Sequence, residues 1–97
     1  MEQRYHKAWS VAKKVADILY QEYQAKKVTV FGSLSSLDYF NEWSDIDIAV
    51  WDIKPELYFK AVAKTLSLST EFEIDIVDPD DCNESLKEMI EKEGIIM

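Results

Sequence analysis

Between Asp45 and Val50 polar and aliphatic residues alternate: Asp45, Asp47 and Ala49 fall on one side, Ile46, Ile48 and Val50 on the other. A period of two is the signature of a strand, because a helix would scatter those three aliphatic side chains around its axis. The segment predicts a β-strand with a core behind it and two carboxylates in front. The pattern returns at Glu71–Val77, where Phe72, Ile74 and Ile76 lie opposite Glu73, Asp75 and Val77. Two such strands side by side, their aliphatic faces on one core, would bring Asp45, Asp47 and Asp75 to one surface.

The rest of the chain supplies what that core needs. Tyr5, Ala8, Ala12, Val15, Leu19 and Tyr23 recur at three- and four-residue steps, which predicts a helix over residues 4–25. Val28–Phe31 is a short β-branched run and predicts a buried strand. Gly32-Ser33 breaks it and opens a short helical or irregular stretch through Phe40, with a turn at residues 41–44. Pro55 suits the first position of a helix whose stripe is Tyr58, Ala61, Val62, Thr65 and Leu66. Pro79-Asp80-Asp81 reads as a turn. Asn83–Glu93 reads as a closing helix with Leu86, Met89 and Ile90 inward and Gly94 as its C-cap. The expected architecture is one α/β (α+β) domain over residues 1–97, with a small mixed sheet of about three strands and helices packed on one face.

Composition narrows the function classes. Nineteen acidic against eleven basic residues give a formal net charge of -8, which argues against direct nucleic-acid binding, since phosphate neutralisation needs a basic face. The chain has no apolar run long enough for a membrane span and no signal-peptide pattern near Met1, so the expectation is a cytoplasmic protein without membrane contact. A single cysteine, Cys82, allows no internal disulfide and fits a reducing compartment.

Three carboxylates on one surface repel one another until a cation neutralises them, and a hard divalent ion such as magnesium is the expected solution. Carboxylate clusters of this kind hold paired magnesium ions in enzymes that transfer phosphoryl or nucleotidyl groups. Gly32-Ser33, directly after an apolar strand, adds an anion-binding element. Glycine lets a phosphate approach the backbone, and a helix starting there would direct N–H groups and a serine hydroxyl at it.

The run Val30-Phe31-Gly32-Ser33, the segment Ser44-Asp45-Ile46-Asp47-Ile48-Ala49-Val50 and the strand Glu73-Ile74-Asp75-Ile76-Val77 together resemble the polymerase-β-like nucleotidyltransferase superfamily. The resemblance is strongest to its minimal nucleotidyltransferase (MNT) branch, which the closing Ile90–Ile96 also resembles. It implies that Gly32 and Ser33 cradle the triphosphate and that Asp45 and Asp47 are ligands shared by two Mg2+ ions. Asp75 is then the third carboxylate, which binds the catalytic metal and helps deprotonate the acceptor hydroxyl. The implied activity is transfer of a nucleoside monophosphate, AMP from ATP, to a hydroxyl. The implied partner is a small helical HEPN-type toxin, with this chain as antitoxin of the pair. Two departures from the branch are visible: the loop Leu34–Ser44 is one residue longer than usual, and Leu37 stands where a second glycine is common. They favour an alternative in which the domain neutralises its partner by contact.

The remaining chemistry-bearing side chains have ordinary readings. His6 reads as a surface residue, Lys26-Lys27 as a basic helix end, and Glu73 as a solvated neighbour of Asp75. Trp9, Trp43 and Trp51 read as packing residues, although Trp43 and Trp51 flank the carboxylate segment and could stack on a base.

Overall fold

The computed structural model describes residues 2–97. In chain order it has α1 (Glu2–Gln21), β1 (Lys27–Phe31), β2 (Ile46–Trp51), α2 (Pro55–Leu66), β3 (Ile74–Val77), α3 (Glu84–Glu93) and β4 (Ile95–Ile96), with 3-10 turns at Gly32–Ser35 and Pro79–Asp81. The sheet order is β3-β2-β1-β4. β1 runs antiparallel to β2 and β4, while β2 and β3 run parallel, so the sheet is mixed. The α+β class expected from the sequence is the one that forms, with one strand added.

Alternation does the positioning. Ile46, Ile48 and Val50 of β2 join Val28 and Val30 of β1 beneath Ala8, Ala12, Val15 and Leu19 of α1 and Ala61 of α2, all buried. Alanine at two contact positions of α1 lets that helix lie close on the sheet. Burying this face is the main stabilising term, at roughly 1.5–3 kcal/mol for each large aliphatic side chain.

Several boundaries differ from the sequence reading, each for a local reason. The first helix stops at Gln21 rather than near residue 25, because Gln24 turns left-handed (φ 59°) and the Ala25 N–H donates back to the Leu19 carbonyl at 3.0 Å. A left-handed residue ends a helix by reversing the chain. Lys27 therefore lies in a strand and not at a helix end. The third strand begins at Ile74 rather than Glu71, since the Glu71 and Phe72 N–H groups are held by the Ser69 hydroxyl at 3.1 and 3.2 Å. Met89 and Leu66, expected inward, are 42% and 47% exposed.

The third helix also differs from the expected packing on one face. Its Ile90 packs with Phe31 and Ala49, on the face opposite the main core, and Leu86 joins them. The cause is the apolar patch that Phe31 and Ala49 make between the polar positions of that face. Gly94, expected as a cap, donates its N–H to the Ile90 carbonyl at 3.0 Å. A β-carbon there would collide with the Thr29 side chain, so glycine is needed for the close passage into β4. The Tyr20 hydroxyl accepts from the Val28 N–H at 2.8 Å and donates to the Met97 carbonyl at 3.1 Å, tying α1, β1 and the end of β4 together.

Candidate active site

The face opposite the main core carries the polar groups. In the parallel pair Asp47 stands directly beside Asp75. Asp45 lies two residues before Asp47, just ahead of β2, on the same face by alternation. The Ile46 N–H donates to the Glu73 carbonyl at 2.8 Å, which carries the β2–β3 pairing back to the level of Asp45. The three predicted carboxylates thus lie on one face, two of them side by side.

Gly32 comes to the same place from β1. Phe31 is paired with Asp47, so the next residue must turn beside the Asp47 side chain. It does so with φ 73°, a conformation that favours glycine, and a β-carbon built on it would lie 2.6 Å from Asp47 Oδ2. The Ser35 hydroxyl donates to the Gly32 carbonyl at 2.6 Å and closes the turn, while fully buried Leu34 pins it to the core. Ser33 takes no part in that bond and stays half-exposed. The short helical or irregular stretch expected through Phe40 is a single 3-10 turn at Gly32–Ser35 followed by irregular chain. Its donors are the unpaired first N–H groups of that turn and the Ser33 hydroxyl, without the dipole of a long helix.

The electrostatics follow from this crowding. Burial, then the charges of Asp75 and Asp45, then a hydrogen bond with Asp75, push the Asp47 carboxyl from an ordinary 3.8 to about 6. Two neighbouring carboxyls sharing a proton is the arrangement of least repulsion without a cation. As placed, the side chains do not wrap a common point, and no group of three or more His, Cys, Asp or Glu among the described residues forms a ready metal cage. The donor set still fits a hard divalent ion: three carboxylates, two of them at adjacent register positions, with Asp75 exposed.

A pH dependence follows for the metal-free protein. The Asp47 proton is held more tightly in the folded chain than in the unfolded one, so this group favours folding at low pH. That contribution is lost as pH rises from about 4 through about 6. Allowing for solvent screening of a half-exposed group, the loss is on the order of 1–2 kcal/mol. Denaturation midpoints measured in chelator at about pH 4 and about pH 7 should show it as a slope that Asp47→Asn flattens.

The other candidates are elsewhere. Trp43 is 83% exposed on a turn whose Asn41 side chain accepts the Trp43 N–H at 2.8 Å. Trp51 is half-buried, with the Lys27 ammonium 4.6 Å from its ring centroid, and packs beside Ala49 and Ile90. Trp9 packs against the main core, and His6 and Glu73 are exposed. Cys82 is a half-buried free thiol that donates to the Pro79 carbonyl at 3.3 Å. Sequence reasoning gave no role to Phe31, whose pairing with Asp47 fixes where Gly32 turns; the register that reveals it is a tertiary fact.

Comparison with known proteins gives three results. A family model described as Polymerase beta, Nucleotidyltransferase matches residues 13–97. No curated protein matches the sequence. Among solved structures, the chain is similar to a toxin–antitoxin MntA–HpeT double Asp-to-Glu mutant at 20% identity and a TM-score of 0.66, covering 87% of this chain and 69% of that one. It is similar to a toxin–antitoxin with AMP-PNP at 22% identity and a TM-score of 0.64, covering 86% and 69%. A Tyr-to-Ala mutant of MntA–HpeT gives 22% identity and a TM-score of 0.65, covering 89% and 70%. At these identities the shared property is the fold. The family model spans most of the sequence, including Gly32, Ser33 and all three aspartates, and the chain belongs to the polymerase beta nucleotidyltransferase family.

Proposed function

We propose that this domain is a magnesium-dependent nucleotidyltransferase that moves AMP from ATP onto a hydroxyl of a partner protein. In this reading the partner is a HEPN-type toxin and the chain acts in the cytoplasm as antitoxin of the pair. The observation that carries the reading is the convergence on Asp47. Asp75 stands beside it, Asp45 lies on its face, and the Gly32 backbone passes so close that no β-carbon fits. A phosphate cradle and a carboxylate cluster are built against each other. Solved relatives described as toxin–antitoxin structures, one with AMP-PNP, support the pairing and the nucleotide.

In this reading Asp45, Asp47 and Asp75 hold two magnesium ions. When bound, those ions supply charge neutralisation for the triphosphate and acidify the acceptor hydroxyl. Gly32 and Ser33 receive the β- and γ-phosphates through backbone N–H groups and the serine hydroxyl. The raised Asp47 carboxyl gives up its proton as cation binds, so metal affinity rises with pH up to about 6. In this reading Asp75, the most exposed of the three, accepts the acceptor's proton.

The test is intact-mass spectrometry of the genetic partner after incubation with this chain, ATP and magnesium. The expected result is a partner heavier by one or more AMP groups, absent without ATP or with chelator. Neutralisation of the partner with no change in its mass would instead favour inhibition by contact.

A further inference from the structure

Away from the carboxylate site lies a second concavity of about 440 Å³, beyond the C-terminal ends of the parallel strands β2 and β3. Ile53, Val77, Tyr58 and Phe59 give it apolar and aromatic walls, and Asp78 and Asp81 line it too. No lysine, arginine or histidine lines it among the described residues. It lies about 10 Å along the strand direction from Asp75, judged from three residues of extended chain.

Its parts are held in place by local bonds. Pro79 is fully buried and anchors the 3-10 turn that Asp78 caps and Asp81 closes. Asp78 Oδ1 accepts from the Asp80 N–H at 2.9 Å, which orients that carboxylate. Tyr58 and Phe59 form an edge-to-face pair with centroids 6.0 Å apart. Phe59 is nonetheless 82% exposed at the rim. Burial, then Asp78 and Asp81, raise the Tyr58 phenol above its ordinary value, so both carboxylates are felt inside the cleft.

We propose that this cleft is a docking site for an arginine-bearing segment of a partner protein. Its two carboxylates have neither a basic side chain nor a glycine turn beside them to receive a phosphate, which argues against a nucleotide or nucleic acid in this cleft. A guanidinium suits the cleft better than an ammonium. It stacks on aromatic faces, pairs with carboxylates through two N–H groups, and carries an apolar stem that Ile53 and Val77 can cover. The exposed Phe59 ring points to a protein segment and not a free amine, because neighbouring residues of such a segment would cover it. The proposal stands apart from nucleotidyl transfer and uses none of its residues.

The experiment is a heteronuclear NMR titration of the full chain with a blocked peptide carrying one arginine between leucines, and with its citrulline twin. The arginine peptide should shift the amides of Tyr58, Phe59, Asp78 and Asp81 and leave Asp45 and Asp47 in place. Asp78→Asn with Asp81→Asn should weaken binding roughly three- to tenfold, as removal of two solvent-facing ion pairs does, and added salt should weaken it too. Asp78→Asn keeps the oxygen that accepts from Asp80, and Phe59→Ala removes an exposed ring, so both variants fold. Phe59→Ala should also weaken binding. Absence of shifts at about 5 mM peptide, or equal shifts with citrulline, overturns the proposal. So does displacement of the arginine peptide by ATP with magnesium.

Discussion

Replacing both Asp45 and Asp47 with asparagine should abolish nucleotidyl transfer while making the metal-free protein more stable. The two effects share one cause. Asparagine keeps the shape and the alternation of β2 but removes the negative charge that the proposed function requires for a hard cation. Metal-ion stabilisation of a phosphoryl-type transition state is worth several kcal/mol, so transfer to the partner should fall by more than about a thousandfold. Without metal, the charges that crowd Asp47 are a cost, visible in its rise to about 6. Relief on the order of 1 kcal/mol corresponds to a melting temperature higher by roughly 4–8 °C in a domain of this size. Under the proposed function, adding magnesium should reverse the order, since the wild type would gain stability from the ion and the variant would not. Thermal melts with chelator and with magnesium, beside the mass assay, check both halves. A double variant that melts below the wild type in chelator would show that repulsion among these carboxylates does not govern stability.

A second large effect is expected at Gly32. Alanine there must accept φ 73°, which costs an L-residue about 1–2 kcal/mol. Its β-carbon would also lie 2.6 Å from Asp47 Oδ2, so the carboxylate must move or the turn must open. Displacing a reacting group by about 1 Å is enough for a loss on the order of a hundredfold. The expected result is a folded, destabilised protein with transfer down by at least that factor. Its Asp47 should also sit nearer the ordinary carboxylate range, because opening the turn lets water reach it. Carbon-detected NMR titration of the aspartate side chains reads this directly. Wild-type transfer by Gly32→Ala would separate the glycine from the chemistry.

The placement of the candidate site was legible because two strands wrote it in period two. Asp45, Asp47 and Asp75 alternate with aliphatic residues, and only one registration of such strands buries those residues together. Gly32 was legible as a break after Val28–Phe31, but its clash with Asp47 was not, since it depends on the Phe31–Asp47 pairing across strands. The helix ending at Gln21 escaped because glutamine rarely takes a left-handed conformation, and nothing local marks Gln24. The late start of β3 turned on one serine hydroxyl capturing two N–H groups. Ile95–Ile96 is too short for any periodicity, and only its partner β1 makes it a strand. The position of α3 was hidden for a related reason. The patch made by Phe31 and Ala49 exists only once β1 and β2 are paired.

The pairing of β1 with Ile95–Ile96 has a kinetic side. β1 lies between β2 and β4, so one of its edges stays open until a segment more than sixty residues further along the chain arrives. Closing so long a loop is slow, and an open β-branched edge is a template for pairing with other chains in the meantime. The Tyr20 hydroxyl accepts the Val28 N–H from the α1 side, so that donor can be occupied before β4 docks. The same oxygen later donates to the Met97 carbonyl, and the latch that shields the edge during folding becomes the clasp that holds it afterwards.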